Sequence, residues 1–300
     1  MSAAEGTPTQ TTPTGSARAE DPRTGRGTLA ASWRLLRSEL RLILGRRRNQ
    51  AGMLVLASVP VLLAVALRAQ GSDSEGGGLG LLSAATNSGI FVALASMSIE
   101  MALFLPLAVA LLSGDSIAGE ANQGTLRYLL TVPVSRTRLL AVKYLALVIG
   151  SIMGVLVVAG TGVVVGGALL GLGPTTLLSG NQISLGAALL RLVIAVLYLA
   201  AGLAGLAAIG LFLSTLTEQP IAAMIATTVV ASAMWILTGI SQVAWLHPWL
   251  LVTRWPAFAD AFRDPIFWDV IQRGLLVDLA YILVFGTLAW ARLANKDITS

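Results

Sequence analysis

Three charged residues stand inside apolar stretches of this 300-residue chain: Glu100, Arg191 and Asp278. A charge near mid-bilayer costs about 2.5–3.5 kcal/mol on insertion scales. Each must therefore be paired, face a cavity or, for the two acids, be neutral. Two arrangements fit. In one, the three residues form a polar patch along a path through a helical bundle, and Glu100 or Asp278 meets a cationic or polar substrate. In the other they are structural, with Arg191 pairing Asp278. Other chemistry is poorly supplied. Cysteine is absent, and the single histidine, His247, precedes Pro248 in a loop. No H-E-x-x-H occurs, so neither a metal set nor a nucleophile–base set for an intramembrane protease is present. No G-x-x-x-x-G-K-[ST] occurs either. The only lysines are Lys143 and Lys296, and neither follows a glycine-rich loop, so the chain lacks the usual nucleotide-phosphate cradle.

The elements that would position these residues follow from composition. Apolar residues make up 55% of the chain and charged residues 12%. Mean hydropathy is +0.79. A soluble domain carries about twice that charged fraction, so the chain reads as an all-α membrane protein with six transmembrane helices of roughly 20 residues each. Its net charge of +5 would suggest nucleic acid in a soluble protein. Here the basic residues flank apolar runs and report orientation instead, so no nucleic-acid partner is expected.

Residues 1–27 are rich in Thr, Pro, Gly, Ser and Ala and contain no apolar run, which predicts a disordered tail rather than a signal peptide. Residues 28–49 predict an amphipathic helix. Leu29, Trp33, Leu36, Leu40, Ile43 and Leu44 share one face, with Arg34, Arg37, Arg41 and Arg48 beside it. Such a helix lies along an anionic inner leaflet. The six-span domain fills residues 50–300. Its spans are expected at 50–67, kinked by Pro60; 89–112, containing Glu100 and Pro106; 144–170; 185–213; 220–240; and 274–293. In the third, Gly150 and Gly154, then Gly162 and Gly166, are spaced for close helix approach, either within the chain or at a dimer seam. Residues 171–184 form an uncharged turn. Residues 241–270 hold four of the seven tryptophans, Trp245, Trp249, Trp255 and Trp268, and predict extracellular interfacial or re-entrant helices.

Six spans put both termini on one side. Fifteen of the twenty Lys and Arg residues fall on that side and four on the other, with Arg191 inside a span. That bias makes the termini and residues 113–143 cytoplasmic. The Ala, Gly, Leu and Arg bias of the sequence points to a bacterial plasma membrane.

Residues 113–143 are the longest polar interruption, and the apolar runs on either side carry almost no charge. A membrane bundle without its own energy source must be pushed through a rigid lever joined to its spans, and this segment joins spans two and three. Gly119 and Gly124 divide it into short pieces. Asp115 is placed to cap one piece and Thr125 to cap a helix opening at Leu126. Leu126, Tyr128, Leu129 and Leu130 supply apolar knobs, Arg127 a charge, and Pro133 a stop. Ser135 then caps the helix that becomes span three.

The pattern D-S-I-A-G-E-x-x-x-G-T-L-x-x-L-L-x-x-P-V-S-R resembles the signature of ABC-2 type transporter permeases. It runs from Asp115 through Glu120, Gly124, Thr125, Leu126, Leu129, Leu130, Pro133, Ser135 and Arg136 to Lys143. The N-terminal amphipathic helix resembles that family's connecting helix, and the loop between spans five and six its re-entrant hairpin. The resemblance implies a permease subunit of an ATP-driven exporter. It would pair with a second permease subunit and dock on two copies of a separate ABC ATP-binding subunit. No cofactor would then be bound by this chain, and ATP and Mg would sit on the partner. Closure of the partner would move the coupling segment and switch the path. The substrate is not legible, and drugs, antibiotics, peptides and lipids all fit. A non-transporting membrane anchor or signalling partner of an ATPase would share the same docking segment.

Overall fold

The computed structural model describes residues 24–71, 88–124 and 135–295. Helix α1 (Thr24–Gly45) is separated from α2 (Arg47–Gly71) by a single residue, Arg46. Next come α3 (Gly89–Glu100), α4 (Phe104–Ser116) and the short α5 (Ala118–Asn122). The longest helix, α6, runs Arg136–Leu170. A two-strand hairpin, β1 (Thr175–Thr176) with β2 (Gln182–Ile183), leads into α7 (Leu185–Leu216) and α8 (Pro220–Thr238). Two 3₁₀ helices, Ser241–Trp249 and Leu251–Phe262, precede α9 (Trp268–Ala294).

Five of these helices, α2, α6, α7, α8 and α9, are long and apolar enough to cross a membrane; the α3–α4 pair makes a sixth crossing if taken as one bent span. The chain is a multi-pass, predominantly helical membrane protein. Helix α7 lies at the centre: 78% of its apolar window is buried, against 17% for α2, α8 and α9. At 32 and 35 residues, α7 and α6 are each about 50 Å long. A hydrocarbon core spans only about 30 Å, so both extend beyond it.

The glycine stripe of α6 is filled within the chain. A Cβ at Gly162 would meet the Ala93 Cα at 2.6 Å, and one at Gly166 would meet the Gly89 Cα at 2.8 Å. The stripe therefore seats α3 backbone against backbone, which a side chain larger than hydrogen would prevent.

Several expectations are corrected. The second span is not one helix. It bends by 60° between α3 and α4, directly after Glu100 and upstream of Pro106. Pro106 lies in the first turn of α4, where a missing N–H costs nothing. A continuous helix would instead need that N–H and would clash with the ring. The amphipathic helix starts at Thr24, earlier than expected, and yields to α2 at Arg46 rather than at residue 50. Its apolar residues do not share one fate: Leu36 packs on Val142 and Ala146 of α6 with Leu40 and Ile43, while Trp33 remains exposed. The turn at 171–184 contains the small hairpin. Of the tryptophans in 241–270, Trp245 and Trp249 are exposed, but Trp255 is buried against α7 with Phe258 and Phe262, as a core residue. The expected tail falls almost wholly outside the described residues.

Candidate functional site

Charged residues of the α1–α2 corner and of the α4–α5 corner meet at one end of the bundle. There α1, the start of α2, the α4–α5 corner and the first turns of α6 converge. The network begins at Lys143, which is 2% exposed. Its ammonium donates to Glu39 Oε1 at 3.1 Å and to Glu120 Oε1 at 2.5 Å. One buried cation thus ties α1 and α5 to α6. Burial pushes the Glu120 carboxyl above its usual range, and Lys143 pulls it back down. A step away, Asp115 accepts from Arg46 and, at 2.6 Å, from Arg48, joining the α1–α2 corner to the end of α4. Arg138 Nε donates to Ser32 Oγ at 2.6 Å, adding a further tie between α1 and α6.

Asp115 is therefore not a helix cap, since it lies in the last turn of α4 with its carboxylate held by two arginines. The α4–α5 corner is capped from a distant helix instead. Ser214 of α7 is fully buried. Its Oγ accepts from the Ile117 and Ala118 N–H groups at 3.1 and 2.9 Å and donates to the Gly114 carbonyl at 3.0 Å. Gly119 does not break the segment but sits within α5. Gly124 ends α5 with φ +68°, a conformation that favours glycine. Ser135 caps α6 by accepting from the Arg138 N–H at 3.3 Å. Arg136 donates to the carbonyls of Leu293 and Ala294 at 3.0 and 2.6 Å. It thereby clamps the last turn of α9, where a cation complements the helix dipole. Thr125, Leu126, Arg127, Leu129, Leu130 and Pro133 lie outside the described residues.

Replacing Ser214 with alanine leaves two buried N–H groups unmet. The expected loss is about 1–3 kcal/mol, read as a lowered melting temperature of the purified chain in micelles.

The membrane-embedded candidates are not brought together. Glu100 is fully buried at the bend, and neither carboxylate oxygen has a partner among the described residues. Asp278 is 2% exposed, and its Oδ1 has none either. The expected Arg191–Asp278 pair does not form. Arg191 donates to the Arg263 and Ala261 carbonyls at 2.8 and 3.4 Å, holding the end of the second 3₁₀ helix. A guanidinium near a chain turn finds carbonyls closer than a carboxylate on a neighbouring helix.

The Glu120–Lys143 ion pair binds the short corner helix α5 to α6, and the Ser214 cap binds it to α7. In sequence comparison, the family described as ABC-2 family transporter protein matches residues 33–254. The chain belongs to this family. An ABC-2 permease is a membrane transport component and not itself catalytic, and the family generally works with an ATP-binding subunit. No curated protein matches the chain at a significant level.

Sequence reading missed Glu39, Arg46 and Ser214 as members of this site. A signal existed for Lys143, one of two lysines and placed where a span is about to begin. None existed for Ser214, an ordinary serine at the end of an apolar run.

Proposed function

We propose that this ABC-2 permease is the membrane half of an exporter, energised by a separate ATP-binding subunit that docks on the 113–143 segment. The observation that carries the reading is the ion-paired corner. Glu120 of α5, just before the docking motif at residues 125–134, is paired with Lys143 of α6, which also holds Glu39 of α1, while Asp115 at the end of α4 is paired with Arg46 and Arg48 at the α1–α2 corner. A push on the motif reaches three helices at once. The basic end faces the cytoplasm in this reading, with both termini inside, and residues 241–262 form the outer re-entrant region. The bilayer is the bacterial plasma membrane, and the permease works as a homodimer or with a close paralogue on two ATP-binding subunits. The substrate leaves the cytoplasm or the inner leaflet.

The chain lacks cysteine, so single-cysteine labelling tests the orientation cleanly. Gln123→Cys should react with a membrane-impermeant thiol reagent only in inside-out vesicles, and Trp245→Cys only in intact cells. The reverse pattern removes the coupling scheme. Co-purification with an ATP-binding subunit, abolished by Arg127→Glu, tests the docking itself.

In this reading Glu100 and Asp278 line the path. Glu100→Gln and Asp278→Asn, with expression held constant, should each lower efflux about tenfold, the equivalent of one lost hydrogen bond to a charged group. Unchanged efflux assigns both acids to structure alone.

A further inference from the structure

Two openings meet beside the ion-paired corner. The first is a cleft of 440 Å³ lined by Glu39, Arg46, Asp115, Glu120 and Lys143 among others. The second is a groove of 350 Å³ between α2, α4 and α6, lined almost entirely by apolar side chains such as Val55, Leu56, Phe104 and Leu107. Both fall in the size range of ligand pockets, about 300–1,000 Å³. Asn49 and Leu112 line both, so the cleft that holds the ion pairs runs directly into the apolar groove. Asn49 is 6% exposed. Its Nδ2 donates to the Ile43 carbonyl at 2.8 Å, but its Oδ1 has no partner among the described residues. A buried acceptor left unmet costs free energy that a donor from a ligand would recover.

We propose that the cleft and groove together bind one amine-headed phospholipid of the inner leaflet. The tail fills the groove, and the ammonium donates to Asn49 Oδ1 and the cleft carboxylates. Three features select this occupant. Among the described residues, Glu39, Asp115 and Glu120 at the cleft are matched by Arg46, Arg48 and Lys143, which suits a zwitterionic head carrying one cation and one anion. Arg46, whose side chain is 36% exposed, stands at the same cleft and suits the head's phosphate. A polar head joined to an apolar tail matches the junction at Asn49, whereas an apolar helix from a second copy would leave Oδ1 unmet. Siting the cleft at the inner leaflet rests on the orientation proposed above, but occupancy of the groove does not.

The test uses the full chain in bilayer nanodiscs, without an ATP-binding subunit. Two phospholipid probes carry the same photoreactive acyl chain, one with an ethanolamine head and one with a choline head. Choline has no N–H to donate. The expected result is labelling of residues 52–56 and 104–112 about tenfold stronger with the ethanolamine probe, the equivalent of one lost charge-assisted hydrogen bond. Gly52→Leu fills the groove at a position where an added Cβ meets nothing within 4 Å. It should abolish this labelling and leave labelling elsewhere on the apolar belt unchanged. Equal labelling by both probes overturns the proposal, as do cross-links joining two copies through the groove. The choline comparison on the native chain decides even if the variant fails to fold. Because no ATPase is present, loss of this site leaves the docking reading standing, and failed docking leaves the site standing.

Discussion

Lys143→Met is expected to be the most damaging single change at the basic end. Lys143 is the one buried cation between Glu39 and Glu120, and methionine keeps its volume while deleting its charge. The two carboxylates would then lose the ammonium that bridges them. Breaking a buried ion pair from one side costs about 3–5 kcal/mol. The loss should depend on pH in a defined direction. Burial already holds the Glu120 carboxyl above its usual range, and losing Lys143 removes a pull that opposes the rise, so its folded-state pKa moves further above the unfolded one. Such an acid favours the fold while protonated, and that contribution is lost as pH rises through the folded value. The variant should therefore approach the native melting temperature in acid and fall away from it toward neutral pH. A pH-independent loss would mean that Lys143 acts through packing alone. The triple variant Lys143→Met, Glu39→Gln, Glu120→Gln removes the stranded charges and should recover much of the stability. Under the coupling scheme it would still fail to transmit ATP hydrolysis into transport, because the tie from α5 to α1 is gone.

Gly162→Leu should have the next largest effect. Its Cβ would lie 2.6 Å from the Cα and 2.9 Å from the N of Ala93. Both are backbone atoms, so α3 must move bodily away from α6. Overpacking of this kind costs about 1–3 kcal/mol and occasionally more. The displacement would also reach Glu100, at the far end of α3. Gly160→Leu is the matched control: it lies two residues away on the same helix, and an added Cβ there meets nothing within 4 Å. It should be neutral or slightly stabilising, since glycine inside a helix costs roughly 0.5–1 kcal/mol relative to alanine. Melting temperatures of the two variants in the same micelle check the contrast. Equal behaviour would show that the α3–α6 seam does not depend on close backbone approach.

Much of the bundle was legible because its signals are one-dimensional. The apolar runs of α2, α6, α7, α8 and α9 stand out by length and composition, and the crossing that became α3 and α4 was visible as an apolar run too. Its break was not, because Glu100 and Pro106 sit inside a stretch whose mean hydropathy is that of any span. The Ser135 cap followed from a local rule linking a residue to N–H groups three positions on. Asp115 satisfied a similar local rule yet lies elsewhere, because two arginines nearly seventy residues earlier in the chain compete for its carboxylate and win. Trp255 has the composition of a membrane-boundary residue and the position of a core residue, and only the path of the second 3₁₀ helix across α7 distinguishes the two.

By itself the sequence determined that this chain is a membrane bundle, which apolar runs are long enough to cross, which segment resembles a docking motif, and that no usual nucleotide cradle is encoded. These properties depend on residue type and near-neighbour spacing. The tertiary structure decided which charges meet: Lys143 with Glu39 and Glu120, Asp115 with Arg46 and Arg48, Arg191 with carbonyls rather than with Asp278, and Ser214 with an α4–α5 corner about a hundred residues away. The reason is physical. A buried polar group takes whichever partner the packing of distant helices brings within about 3 Å, and no local spacing rule encodes that distance.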